Sequence, residues 1–382
     1  MGCVKSAAAP APPRRPTQPR PPEDMLSELE SLLTRTGPIT FDRYLQLVLY
    51  HPVHGYYANR VPGRGVSYET SASIGPEFGE MVAVELRAMW EALGRPDPFT
   101  ITEFGAGLAG LAEGAIRSAG PLLEALHWRI VEQFDSVARM QREHLGPAAR
   151  HVEWVSSLEG PPTVGCVLGN EVLDNFPFHR FRKTDGRIQE VCVAWRDNRL
   201  VETVRPPSSE AMTSPVLPFQ AQLNEGDSFE IRPQIADWCR AVSAALSRGY
   251  LLIIDYGDEE PDIWLRGPRG TVATYSGAGR GSEPLEEPGR QDITADVDFS
   301  GLDRGARAAG LNFELLSLQS YWLASLGAGE RASQLAAEAQ IADAFGWRAD
   351  CQVLEGSRTR LLRLTDPAGL GGCLVYRASK GF

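Results

Sequence analysis

Three polar side chains follow an apolar stretch of the sequence. The run 164–169, "VGCVLG", is followed by Asn170 and Glu171 and, two apolar residues later, by Asp174. An apolar run of this length predicts a buried β-strand, and ligands of α/β sheets bind beyond the carboxyl ends of the strands. There, Asn170 could orient a substrate through its amide, and Glu171 could hold a basic group or accept its proton. Asp174 either joins them or caps a helical turn, and we take all three as candidate catalytic residues.

The stretch 101–110, "ITEFGAGLAG", has the G-x-G-x-x-G spacing of a nucleotide-binding turn. Such a turn brings backbone amides and a helix N-terminus close to a ligand, which is either a pyrophosphate or the amino-acid end of S-adenosylmethionine. Glu103 favours S-adenosylmethionine, because a carboxylate repels pyrophosphate and attracts the ammonium and sulfonium groups of the methyl donor. A turn that binds nothing would show the same spacing. We predict donor contacts from Glu103, Gly105 and Gly107.

A second carboxylate follows this glycine-rich turn at the distance expected for ribose recognition. Glu132 ends a predicted strand twenty-two residues beyond Gly110, where a carboxylate can accept hydrogen bonds from ribose hydroxyls. The position suits a dinucleotide as well as S-adenosylmethionine. However, no Ser-Tyr-Lys set or other hydride-transfer set occurs near the turn, which disfavours a nicotinamide-dependent oxidoreductase. S-Adenosylmethionine is therefore the predicted cofactor.

Apolar periodicity predicts the elements that position these residues. Leucines at helical intervals follow Asp24, a second helix ends before Pro52, and a third is expected from Pro76 to Leu93. Beyond them strands alternate with helices, which predicts an α/β fold with a mainly parallel sheet. The strands are expected at 99–104, 128–132, 152–155, 164–169 and 250–255, and the helices near 108–119, 135–145 and 233–247.

The chain divides into three predicted regions. Residues 1–23 are proline-rich and predict a disordered arm; its start, "MGCVKS", fits a myristoylation pattern that we interpret as a chance match. Residues 24–97 predict a helical cap. Residues 98–382 predict the catalytic domain, with a small inserted subdomain at about 176–230, where "RIQEVCVAWRDNRLVETV" alternates like an antiparallel hairpin.

Composition narrows the classes of function. The formal charge of -11 at pH 7 disfavours nucleic acid as a partner, and no run of eighteen apolar residues predicts a membrane span. The six cysteines occur singly, so neither a disulfide framework nor a metal site is predicted. These features favour a cytoplasmic protein. No motif indicates the oligomeric state, and a homodimer is kept as one expectation.

Several motifs in one order resemble the MidA-like family of S-adenosylmethionine-dependent methyltransferases, the family of the mitochondrial complex I assembly arginine methyltransferase. The resemblance covers nearly everything from Gly37 to Phe382. It implies a Rossmann-like, seven-stranded class I methyltransferase sheet with a small added subdomain. The motifs are "GPITFDRYLQLVLYHPVHGYYA" (37–58), "YETS" (68–71), "FGEMVA" (78–83), "EFGAGLAGL" (103–111), "GNEVLDNFPFHRF" (169–181), "IDYG" (254–257), "RGTVATY" (269–275) and "QDITADVDFSGL" (291–302).

The resemblance also implies roles for individual residues. Donor contacts would come from Thr70 and Ser71, from the glycine-rich turn, from Glu132 and from the Asn170–Glu171 pair, which would lie between donor and acceptor. Asp292 and Thr294 either approach the site or cap the helix that follows.

The expected function is methylation of a protein or peptide side chain, with an arginine-like nitrogen favoured, because a carboxylate such as Glu171 suits a basic acceptor. Two alternatives stay open. One is a methyltransferase that modifies a small-molecule or peptide natural product, since Val66 and Ser67 stand where the family has Gly-Asp. The other is an inactive assembly protein that retains the fold.

Overall fold

A computed structural model describes residues 24–59, 70–277 and 279–382 of the chain. The predicted arm at 1–23, with its "MGCVKS" start, lies outside these residues, as does the Val66–Ser67 pair.

The helices follow the predicted order, and several begin at identifiable caps. The Asp24 carboxylate accepts a hydrogen bond from the Ser27 amide at 2.9 Å and starts the first helix. The Asp298 carboxylate likewise accepts from the Gly301 amide, so Asp298 caps the helix beyond the "QDITADVDF" motif. The α-helices are α1 Met25–Thr36, α2 Phe41–Tyr50, α3 Tyr56–Asn59, α4 Glu77–Ala92, α5 Gly110–Arg117, α6 Asp135–Leu145, α7 Glu210–Thr213, α8 Gln234–Ala245, α9 Phe299–Ala308, α10 Gln319–Ser325, α11 Ala328–Ala344 and α12 Arg348–Leu364.

The strands of the described residues form one large sheet and several smaller ones. They are β1 Ile39–Thr40, β2 Phe99–Phe104, β3 Leu126–Val131, β4 Val152–Val155, β5 Thr163–Asn170, β6 His179–Thr184, β7 Arg187–Arg196, β8 Arg199–Arg205, β9 Ser228–Ile231, β10 Leu246–Asp255, β11 Gly257–Asp258, β12 Ala273–Ser276, β13 Gly279–Gly281, β14 Asp292–Thr294, β15 Val297–Asp298, β16 Asn312–Leu318 and β17 Leu374–Lys380.

The large sheet has seven strands in the order β16-β17-β10-β5-β2-β3-β4. The five strands from β10 to β4 run parallel, whereas β17 is antiparallel to both of its neighbours. In this register Phe104 pairs with Gly169, and Asn170 pairs with Ile254. The loops after β2, β5 and β10 therefore leave the same edge of the sheet. The predicted α/β fold with a seven-stranded sheet is confirmed, although the sequence pattern did not reveal β16 and β17.

Helices cover both faces of this sheet. On one face α4, α5 and α10 to α12 bury apolar side chains against β2 and β3, and on the other face α8 and α9 pack against β5 and β10. Each strand of the sheet centre is thus enclosed by helices, as parallel sheets require. The first core includes Phe78, Leu86, Leu111, Trp322 and Leu361, and the second includes Ile235, Val242, Leu302, Leu251 and Ile253.

A second, smaller sheet lies between β5 and α8 in the chain. It contains β6 to β9 and also β1, which pairs with β7 through Ile39 and Thr40. The β7–β8 pair is the antiparallel hairpin expected from "RIQEVCVAWRDNRLVETV". Helices α1 and α2 pack against this sheet, whereas α4 belongs to the core of the large sheet. The expected cap at 24–97 is therefore divided between two cores. No helix among the described residues is both long and apolar enough to cross a membrane.

One carboxyl group lies inside the core of the large sheet. Glu103, on β2, pairs in register with Ile130, so it shares a face with Trp128 two residues earlier on β3. The Trp128 indole donates a hydrogen bond to Glu103 Oε2 at 2.8 Å, and the Glu103 side chain is almost fully buried. Burial raises the pKa of Glu103 to about 7, because a buried carboxylate loses the hydration that favours its charge.

This buried carboxyl predicts a pH dependence of stability that Glu103→Gln should remove. The pKa of Glu103 is higher in the folded chain, so the native state binds more protons than the unfolded state between pH 4.5 and 7. The free energy of unfolding of wild type should therefore fall relative to that of the variant as the pH rises through this range, by on the order of 3 kcal/mol. Urea unfolding at several pH values measures it. Glu153→Gln, at an exposed side chain on β4, is the matched control; parallel curves for wild type and Glu103→Gln would contradict the prediction.

Candidate functional site

A cavity of about 880 Å³ opens at the edge where the parallel strands end. Its volume lies within the range of about 300–1,000 Å³ that is usual for small-molecule sites. The cavity is lined mainly by residues 70–76, the glycine-rich turn after β2, the loop after β5, the segment from β12 to β15, and the end of α12 with the loop that follows it. Tyr256 after β10 and His144 on α6 also line it. These segments include Thr70, Gly105, Gly107, Asn170, Glu171, Asp174, Asp292, Thr294 and Arg363.

The glycine-rich turn is built by left-handed backbone and close contacts. Gly105 has φ +65°, and a Cβ added there would lie 2.6 Å from Val172 Cγ2, so the turn packs directly on the loop after β5. A Cβ on Gly110 would lie 2.6 Å from the Ala72 carbonyl oxygen. Ala109 takes φ +65° in spite of its methyl group. The turn thus has the left-handed backbone that its glycines favour, and its close contact at Gly110 holds residues 70–76 against the start of α5.

Glu132 lies directly after β3 and is tied to the glycine-rich turn. Its Oε1 accepts from the Phe134 amide at 2.9 Å, and its Oε2 accepts from Gln141 Nε2 at 3.3 Å. The same amide of Gln141 donates to the Gly107 carbonyl at 3.0 Å. Burial raises the pKa of the Glu132 carboxyl. The side chain is held beside the turn, but it is not among the residues that line the cavity.

Glu171 lies at the centre of the cavity wall with a strained backbone. Its φ of +48° is unusual for a residue with a side chain, and such strain commonly marks functional sites. Glu171 Oε1 accepts from the Ser71 amide at 2.7 Å and from Asn170 Nδ2 at 3.3 Å. Burial, with a further contribution from the negative charge of Asp255, raises the pKa of Glu171 to about 7. The group can therefore change charge near neutral pH.

Asp255, at the end of β10, shapes the loop that carries Glu171. Its Oδ2 accepts from the amides of Val172 and Leu173 at 3.1 and 2.8 Å, and its Oδ1 accepts from the Tyr256 amide at 2.9 Å. Asp255 is completely buried. Asp255 was not among the predicted site residues and appears above only within the "IDYG" motif, although an aspartate at the carboxyl end of a central strand is a signal that could have identified it.

Two buried oxygen atoms in the cavity wall have no hydrogen-bond partner within the described part of the chain: Asn170 Oδ1 and Asp174 Oδ1. Both side chains are more than nine-tenths buried. Burial and the negative charges of Asp255 and Asp292 raise the pKa of Asp174 well above its usual range. Because buried acceptors without a donor are costly, these two atoms indicate a place for a ligand that donates hydrogen bonds.

Asp292, which also lines the cavity, is bound by side chains from two other segments. Its Oδ1 accepts from the Tyr57 hydroxyl at 2.7 Å and from Asn175 Nδ2 at 3.2 Å. The Tyr50 hydroxyl donates to the Asn175 carbonyl at 3.1 Å. Residues from α2, α3, β14 and the loop after β5 thus meet around these carboxylates. We call the part of the cavity that is lined by Glu171, Asp174 and Asp292 the acidic end.

The structure brings most of the predicted site residues together. Thr70, Gly105, Gly107, Asn170, Glu171 and Asp174 line one cavity. Ser71 lies behind Glu171, with its hydroxyl 3.2 Å from Gln319 Oε1. Glu103 requires a correction: it does not line the cavity, because Trp128 holds its carboxyl inside the core. No local sequence signal indicates this burial, since the partner comes from a neighbouring strand.

The cavity suits S-adenosylmethionine, which has an amino-acid end for the glycine-rich turn and a methyl group to present to an acceptor. Backbone amides of the turn and the N-terminus of α5 would face the amino-acid end. The acidic end then lies beyond the turn, on the loop after β5, where an acceptor would enter.

Comparisons with known proteins agree with this geometry. A family described as "Putative S-adenosyl-L-methionine-dependent methyltransferase" matches residues 81–316, more than half of the chain. The "Protein arginine methyltransferase NDUFAF7 homolog, mitochondrial" of Drosophila melanogaster is 29% identical over 309 residues, which are 72% of this chain and 68% of that protein. The human protein arginine methyltransferase NDUFAF7, also named as mitochondrial, is 27% identical over 322 residues, 75% of this chain and 70% of that one.

A solved structure from Burkholderia thailandensis, bound to S-adenosyl-homocysteine, superposes with a TM-score of 0.81 at 26% sequence identity. The superposition covers 93% of this chain and 92% of that one. S-Adenosyl-homocysteine is what remains of S-adenosylmethionine after the methyl group has left, so the methyl donor is the cofactor.

The expected cytoplasmic location is wrong on this comparison, because the curated relatives are named as mitochondrial proteins. Amino-acid composition bears on solubility and does not identify a compartment. The family match, the turn geometry and the bound product of the solved structure lead to one conclusion: this chain belongs to the family of S-adenosylmethionine-dependent methyltransferases.

Proposed function

We propose that this chain methylates a guanidinium nitrogen of an arginine side chain in a partner protein. The observation that carries the proposal is the acidic end of the cavity, with its two buried oxygens that lack a donor, Asn170 Oδ1 and Asp174 Oδ1. The names of the curated relatives, which describe protein arginine methyltransferases, support the same acceptor.

The chemistry of the acidic end matches a guanidinium group. A guanidinium carries five N–H donors and no acceptor, while Asp174, Glu171 and the Asn170 carbonyl present only acceptors to it when the two acids are ionised. Its positive charge would favour ionisation of these carboxyls, because opposite charges attract strongly where water is excluded. A carboxylate acceptor would be repelled, and an alcohol would leave the buried acids without a compensating charge.

Methyl transfer requires orientation more than acid–base strength. S-Adenosylmethionine supplies an electrophilic methyl group on its sulfonium, and the displacement needs the acceptor nitrogen in line with it. The Glu171 carboxylate would bind the nitrogens that do not react, which draws the positive charge away from the reacting nitrogen and leaves its electron pair free. The proton that this nitrogen loses can pass to Glu171, whose pKa of about 7 suits that exchange.

The donor would be held mainly by the other end of the cavity. The Gly105–Gly107 turn and Thr70 would contact the amino-acid part. Glu132, held by Gln141 beside Gly107, would turn its carboxylate to the ribose hydroxyls.

A transfer assay tests the proposal. Purified protein is incubated with S-adenosylmethionine labelled in its methyl group and with a mitochondrial extract, and the labelled proteins are hydrolysed and analysed by mass spectrometry. The expected product is methylarginine. Label found only in methyllysine, in carboxyl esters or in small molecules would reject the arginine assignment while leaving the enzyme class intact.

Glu132→Ala should weaken donor binding. The loss of hydrogen bonds between a carboxylate and the ribose should make the binding free energy less favourable by about 1.5–3 kcal/mol, the usual value for bonds to a charged group. Calorimetric titration with S-adenosyl-homocysteine measures it. Glu153→Ala, at an exposed side chain on the neighbouring strand β4, should bind as wild type does. Equal affinity in Glu132→Ala would remove Glu132 from the donor site.

Glu171→Gln should separate donor binding from catalysis. The variant keeps the size and the hydrogen bond from Ser71 but cannot become negative, so donor affinity should stay close to wild type while turnover falls about a hundredfold or more. In wild type, kcat/KM for the acceptor should rise as the pH increases through about 7, because Glu171 must lose its proton to bind a cation; the variant should lose this rise. Steady-state kinetics of wild type and Glu171→Gln from pH 6 to 9 measure this difference in kcat/KM.

The matched control is Glu259→Gln, an exposed carboxyl outside the cavity, which should keep the wild-type profile. Wild-type turnover in Glu171→Gln would show that Glu171 is structural.

A further inference from the structure

Arg232 is a buried cation that binds backbone rather than carboxylates. It follows β9, and its guanidinium donates to four carbonyl oxygens: Asp174 at 2.7 Å, Phe176 at 3.1 Å, Ala295 at 2.5 Å and Asp296 at 2.8 Å. The side chain is more than nine-tenths buried. The fixed fork of a guanidinium can serve four acceptors in different directions, whereas a lysine ammonium is a single point with three donors.

These four carbonyls belong to two segments that line the acidic end. Asp174 lies on the loop after β5, and Ala295 and Asp296 lie between β14 and β15. The two segments are also joined directly, because the Ala295 amide donates to the Asp174 carbonyl at 3.1 Å and Asn175 Nδ2 donates to Asp292 Oδ1 at 3.2 Å. Arg232 is therefore a major link between the walls of the acidic end, and it connects them to the small sheet through β9.

The charge of Arg232 also faces the acids. Its positive charge lowers the pKa of Asp174, against the larger effects of burial and of the neighbouring carboxylates. Burial lowers the pKa of Arg232 itself, and the charges of Asp174 and Asp255 oppose that shift. The titratable groups that face Asp174 from the packed elements are Glu171, Asp255, Asp292, Arg232, Tyr50, Tyr275 and Cys373.

Arg232 is not among the residues that line the cavity, so it acts through others. We propose that Arg232 is a positioning residue for the acceptor: it ties the Asp174–Phe176 segment to the Ala295–Asp296 segment and supplies the buried positive charge that keeps Asp174 ready for a cationic group. The cationic acceptor in this proposal rests on the proposed function. The link that Arg232 makes between the two segments does not depend on that function.

The test compares Arg232→Met, Arg232→Lys and a control, Arg182→Met. Arg182, on β6, binds the Glu202 carboxylate and the Ser228 hydroxyl in the small sheet and does not line the cavity. Hydrogen–deuterium exchange of the S-adenosyl-homocysteine complexes should show faster exchange at 172–176 and 293–297 in Arg232→Met. The glycine-rich turn at 105–110 should stay as protected as in wild type and in the control.

The acceptor probe is N-acetyl-arginine methylamide, titrated into the same complexes from pH 6 to 9. Arg232→Met should bind it about tenfold more weakly or worse, since small displacements of positioning groups are costly. The pH at which binding is half-maximal should also move upward, because Asp174 loses the charge that favours its ionised form. Arg232→Lys should restore the pH midpoint but not the affinity. Affinity for S-adenosyl-homocysteine should be unchanged in every variant.

The outcomes separate the two hypotheses. Wild-type exchange at 172–176 and 293–297 in Arg232→Met, or a wild-type pH midpoint in that variant, would overturn the role of Arg232. If Arg232→Met does not fold, Arg232→Lys decides, and wild-type affinity for the arginine probe in it would overturn the positioning role. Failure of the wild-type complex to bind this probe, with the corresponding lysine probe bound instead, would count against the arginine acceptor alone.

Discussion

The site depends on one buried carboxylate, that of Asp255. An ionised carboxylate inside a protein is stable only when donors replace its lost water, and here the amides of Val172, Leu173 and Tyr256 do so. These bonds fix the course of the loop after β5. The loop in turn forces Glu171 into left-handed backbone and places its carboxyl under the Ser71 amide. Asp255 thus sets the course of the loop on which Glu171 and Asp174 lie, and Ser71 and Arg232 hold the two ends of that loop from outside it.

This arrangement concentrates negative charge where it is unfavourable. Burial raises the pKa of Glu171, Asp174 and Asp255, and the negative charge of Asp255 raises the pKa of Glu171 and of Asp174 further. Such crowding does not stabilise a fold, and strain of this kind is retained where a function requires it. A cationic acceptor would relieve the repulsion. The nearby buried cation, Arg232, donates four hydrogen bonds to carbonyl oxygens, and its positive charge reduces the repulsion among the acids.

The sequence predicted what is encoded locally. Parallel strands, the glycine-rich turn and the polar cluster from Asn170 to Asp174 each occupy a short stretch with its own pattern, and the structure brings them to one cavity. What escaped prediction depends on pairing between distant segments. The partner of Glu103 is Trp128 on another strand, and β16 and β17, which pair in the sheet, are separated in the chain by α10, α11 and α12. In the sequence, nothing distinguishes Arg232 from an arginine at the surface. Only the fold shows that it is buried after β9, against the loop that follows β5.

The two ends of the cavity are therefore built in different ways. Under the proposed function, most of the donor end would come from one βαβ unit, in which the turn, α5 and Glu132 are close in sequence, and Thr70 would join it from outside that unit. The acidic end is assembled from α2, α3, the loop after β5, the β9–α8 junction and the segment from β12 to β15, which are held by single side chains such as Asp292 and Arg232. If the acceptor binds at the acidic end, as proposed, substitutions in these remote segments would act on the acceptor more than on the donor, because few of their contacts reach the glycine-rich turn.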